Sequence, residues 1–173
     1  GIAKNGPSGA ILLASGEAKT GAGGGINITV GNGNVGDGGD ILIRSGGTTG
    51  LGRGGTLTLA SGSGTRTSSG PVMLGSPDAG AAGVSGAIAL SSGDSSYGPS
   101  GSVDFATGDA SGGQGGSFTV MLGKGDSGQG GSITMQAGRT SAKATGGSVT
   151  LVAGYSTETT SGSVGIRTAN AGT

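Results

Sequence analysis

A glycine recurs at a spacing of 15 or 16 along the chain, at Gly9, Gly24, Gly39, Gly55, Gly70, Gly86, Gly101, Gly116, Gly131, Gly147 and Gly162. A phase kept through eleven copies makes the chain a tandem array of small units, none of which can bury a core alone. The residue before each of these anchors is Gly or Ser. Two and four residues after it stand apolar pairs: Ile11/Leu13, Ile26/Ile28, Ile41/Ile43, Leu57/Leu59, Val72/Leu74, Ile88/Leu90, Val103/Phe105, Phe118/Val120, Ile133/Met135, Val149/Leu151 and Val164/Ile166. Seven residues after the anchor a second glycine recurs in nine copies, with Pro77 and Ala169 as the exceptions.

Alternation with period two over four or five residues puts an apolar pair on one face of a strand, and glycines at its ends supply tight corners. The expectation is therefore an all-β chain, a β-solenoid of about eleven coils, each of about 15 to 16 residues, with parallel in-register strand stacking. In such a coil the polar remainder of each unit returns the chain to the next rung. The occasional extra residue falls in that return, for example around Leu51 and Ala144. Residues 1–173 form one repeat array, expected to be a segment of a longer array or a polymerising subunit, because neither Gly1 nor Thr173 falls at a cap.

Composition narrows the function. Glycine supplies 46 of 173 residues and aromatics only 2%, too little for an ordinary globular core, yet apolar residues reach 31% in β-branched runs that disordered linkers lack. Nine Lys and Arg balance nine Asp and Glu, so no basic surface exists for nucleic acid. No window is apolar enough for a transmembrane helix. Without His or Cys, the triads and dyads of nucleophilic catalysis are absent, and an enzyme is not expected.

Four features invite more specific chemistry. Asp78, Asp94 and Asp109 follow the strand at one offset, and stacked coils would bring these like charges together. A Ca²⁺ ion shared between turns is one reading, since hard oxygen ligands suit it; a turn made by Asp after Gly, with Lys124 and Arg139 as counter-charges in the same row, is the other. Gly36–Ile43 resembles a fragment of the calcium-binding glycine-rich nonapeptide repeats, although the period here is 15 or 16 rather than 9. Asn27-Ile28-Thr29 is an N-glycosylation sequon with Asn27 on the outward phase. Thr58, Thr119, Thr134 and Thr150 share that phase, the arrangement of an ice-binding plane, but Leu12, Leu42, Met73, Asp104 and Gly165 interrupt it.

The unit seen at Ser161–Ile166 and Gly146–Gly154 resembles the glycine-rich tandem-repeat proteins of microalgae and other protists, and more broadly the solenoid shafts of repetitive adhesins. That resemblance covers essentially the whole chain and implies secretion, a cell-surface or extracellular location, and a structural fibre, filament or adhesin role. The expected partners are copies of the chain, associating end to end or laterally, and glycans. A binding module for ice, polysaccharide or mineral, using a flat solenoid face, is the alternative.

Overall fold

A computed structural model describes residues 6–169. The chain divides into two units, Gly1–Ala89 and Leu90–Thr173, each built on the same local scheme. The terminal positions Gly1 and Thr173 lie outside the described residues.

The solenoid is not what the chain forms. Among the described residues there is neither helix nor strand, so the all-β class, the β-solenoid of about eleven coils and its parallel in-register strand stacking are all overturned. The solenoid fold implied by the resemblance to repetitive shafts is absent as well. The reason lies in the polar part of each unit. A coil needs contacts one full repeat apart, whereas the backbone bonds that form close over little more than half a repeat.

Four such bonds share one pattern. The N–H of Gly55 donates to Gly46 O at 2.8 Å, and those of Gly70, Gly147 and Gly162 donate to the carbonyls of Gly62, Gly138 and Gly154 at 2.9 Å. In each case the donor is an anchor and the acceptor is the second glycine of the preceding unit. In these four repeats the polar stretch therefore closes on itself as a compact loop, of the kind whose ends lie close together.

Several anchor glycines are held tightly at this crossing. A methyl group built on Gly39 would lie 2.7 Å from Val30 Cγ1, and one on Gly147 would lie 3.1 Å from the backbone N of Gly138. The same crossing recurs in the first unit, where Gly24 lies against Ser15 and Gly55 against Ser45, and in the second, where Gly116 lies against Thr107 and Gly131 against Leu122. In these four crossings the facing residue stands six positions after the previous anchor. Ser45, Ala137 and Ala153, all at that position, are the half-buried residues; the other described residues are exposed.

The extra residue of the longer repeats is absorbed inside the loop. Gly46–Gly55 and Gly138–Gly147 belong to the longer repeats, and Gly62–Gly70 and Gly154–Gly162 to the shorter. The closing bond joins the same two glycines in both lengths. At the far side of each loop the chain bends, and in some repeats Gly takes the sharp corner, as at Gly36 with φ 78° and Gly98 with φ 92°.

Gly64→Ala tests loop closure. Its new methyl would lie 2.5 Å from Ser68 O and 2.8 Å from Thr67 O, both inside the loop closed by Gly70 N–H to Gly62 O. Losing a hydrogen bond of about 1 kcal/mol predicts a fall of roughly fivefold in amide-exchange protection at Gly70. Gly62→Ala, which meets nothing within 4 Å, should leave it nearly unchanged.

Candidate functional site

The stretch from each anchor to the crossing carries the apolar pair, and among the described residues that pair is left in the open. Each of the 22 paired residues is at least half exposed, from 50% at Val103 to 98% at Ile11. No side chain among the described residues is fully buried, apolar or polar. Consecutive repeats do touch through two aromatic rings: those of Phe105 and Phe118 stack with centroids 6.0 Å apart and planes at 30°. Phe105 is the second member of its pair and Phe118 the first of the next, so this contact spans one crossing.

The loops are organised by hydroxyl groups that sequence reasoning passed over as generic polar filler. Nine residues after the anchor, Thr48 Oγ1 accepts from Gly50 N–H at 3.2 Å and Thr140 Oγ1 from Ala142 N–H at 3.1 Å. At the same place in its repeat, Ser156 Oγ accepts from Glu158 N–H at 3.2 Å and Thr159 N–H at 3.0 Å, while Ser95 Oγ donates to Tyr97 O at 3.1 Å. These are local turns of the Ser/Thr type, which compete with regular structure by satisfying the backbone nearby. The signal was present in the sequence as a hydroxyl at a fixed offset in four repeats.

Asp78, Asp94 and Asp109 each sit one residue before that hydroxyl position, each in its own loop. Without stacked coils nothing brings them into a row. Among the described residues no three His, Cys, Asp or Glu side chains lie together as a metal site, and there is no pocket. Asp104, on the segment itself, is met locally by Ser102 Oγ, which donates to Oδ2 at 2.8 Å. Asn27 is exposed between Ile26 and Ile28. Thr58, Thr119, Thr134 and Thr150 are exposed too, but no sheet carries them, so the flat face required for an ice plane is not formed. No helix among the described residues is long and apolar enough to cross a membrane.

What the chain offers chemically is a repeated apolar surface between polar loops. Comparison with family models, with curated proteins and with solved structures yields no match.

Two outcomes follow from this geometry. Ser156→Ala removes the acceptor shared by two amides, so exchange at Glu158 and Thr159 should accelerate several-fold, while exchange at Gly70, bonded in a different loop, stays the same. Titration with millimolar Ca²⁺ should leave the spectra of Asp78, Asp94 and Asp109 unmoved; a saturating shift confined to those three would instead establish an ion site.

Proposed function

We propose that this is an extracellular structural protein that forms a fibre, filament or adhesive shaft by association of chains, rather than by coils stacked within one. The observation that carries this reading is the exposure of all 22 paired apolar residues in a chain with no buried side chain among the described residues. Isolated exposed apolar residues need no explanation, but a surface repeated in every unit is of the kind that marks an interface. The absence of His and Cys from the whole sequence agrees with a structural role. The resemblance to repetitive surface proteins supports a place outside the cell, where glycans are natural neighbours for polar loops and for Asn27.

Area decides how far the chain is from self-sufficiency. It exposes 17730 Å², whereas a compact protein of 15.8 kDa exposes about 7,300 Å² and its unfolded chain about 22,900 Å². Stability on the scale of ordinary domains needs far more burial than this. Assembly supplies it, which makes the folded population depend on concentration.

Sedimentation over a wide concentration range, with electron microscopy of the concentrated sample, checks the reading. Multimers and fibres are expected; a 15.8 kDa monomer at every concentration would sink it. Ile133→Asp removes one apolar contact of about 1.5–3 kcal/mol and should weaken association at least tenfold. Ser127→Asp, in the neighbouring loop, should change it little.

A further inference from the structure

The apolar surface has a definite occupant. We infer that each apolar segment is covered by the same kind of segment from another copy of this chain, and that the closed loops hold the copies in register by whole repeats. This rests on the assembly reading above and specifies its contact surface.

Three observations lead there. The first is extent: the chain leaves about 10,000 Å² more in water than a compact protein of its mass, against roughly 1,200–2,000 Å² of total area in a standard interface. One small partner seated at one place cannot cover it. The surface recurs on a segment of every repeat, so what covers it must recur as well.

The second is period. A partner that fits must present apolar pairs at the same spacing, and another copy does so by construction. The variation in that spacing does not spoil the match. Because the extra residue of the longer repeats lies within the closed loop, the segment from anchor to crossing has the same length in every repeat.

The third is charge. Of the nine cationic and nine anionic residues, only Asp40, Arg44, Asp104 and Arg167 lie on the segments, two of each sign and none at a paired position. Few charges therefore stand in the contact between copies. The loops carry most of the rest, including Glu17, Lys124, Asp126, Arg139, Lys143 and Glu158. A slip by part of a repeat would set these charged loops against apolar pairs and strip their water without compensation. A slip by a whole repeat costs only the overlap lost at the ends. Two copies can thus associate fully aligned or staggered by repeats, and a staggered pair leaves uncovered segments for a third.

Because the chain has no cysteine, any disulfide in a single-cysteine variant must join two chains. Val103→Cys, Val120→Cys and Val149→Cys place a small thiol at paired positions, and Ser111→Cys and Ser127→Cys place one in loops. Each variant of the full chain is oxidised mildly at a concentration where sedimentation shows it assembled. The expected result is linkage at least tenfold faster for the three segment variants than for the two loop variants. A mixture of Val103→Cys and Val149→Cys, three repeats apart, should also yield the mixed dimer. Equal or faster linkage through the loops in an assembled sample would overturn the inference while leaving assembly intact. Sedimentation as a monomer throughout would overturn both.

Discussion

Everything in this structure depends on a close approach of backbone to backbone at one point in each repeat. The anchor glycine lies against the residue six positions after the previous anchor, near enough that a methyl group would press on Val30, Thr107 or the peptide of Gly138. Glycine is needed there for want of a side chain, more than for unusual backbone angles. In four repeats the anchor N–H also reaches the carbonyl of the preceding second glycine, and the polar stretch becomes a closed loop. The two in-phase glycines of the repeat are thus two halves of one clasp.

The clasp explains why a strongly periodic chain forms no ladder of its own. The hydrogen bonds that form among the described residues, Gly to Gly or onto Thr48, Thr140 and Ser156, close over no more than nine residues, and none reaches a full repeat. With only two apolar residues in each pair, a stacked core in one chain would also be thin. Local closure and exposed pairs are complementary outcomes: the polar half of the repeat folds on itself, and the apolar half is left facing outward.

Much of this was legible. The anchors, the apolar pairs and the second glycines all stand in phase in the sequence, and each has a place in the structure. The fate of the polar stretch was not legible from spacing. A coil that returns to the next rung and a loop that closes on itself consume the same length of chain. What separates them is the close approach at the crossing, where a methyl on Gly55 would press on Ser45 and one on Gly147 on Gly138. The offset of Thr48, Ser95, Thr140 and Ser156 carried the same message. The acidic residues Asp78, Asp94 and Asp109 looked like a row only because stacking was assumed, and they part company when the stacking is gone.

A closed loop is also stored length. Between Gly46 and Gly55, or Gly138 and Gly147, the chain spends enough residues to span roughly 30 Å when extended, yet its ends are joined by a hydrogen bond of 2.8 to 2.9 Å. Pulled along its backbone, such a loop can release that slack once its closing bond breaks. A loop opened in this way lengthens the chain in one small step, and the chain shortens again when the clasp closes.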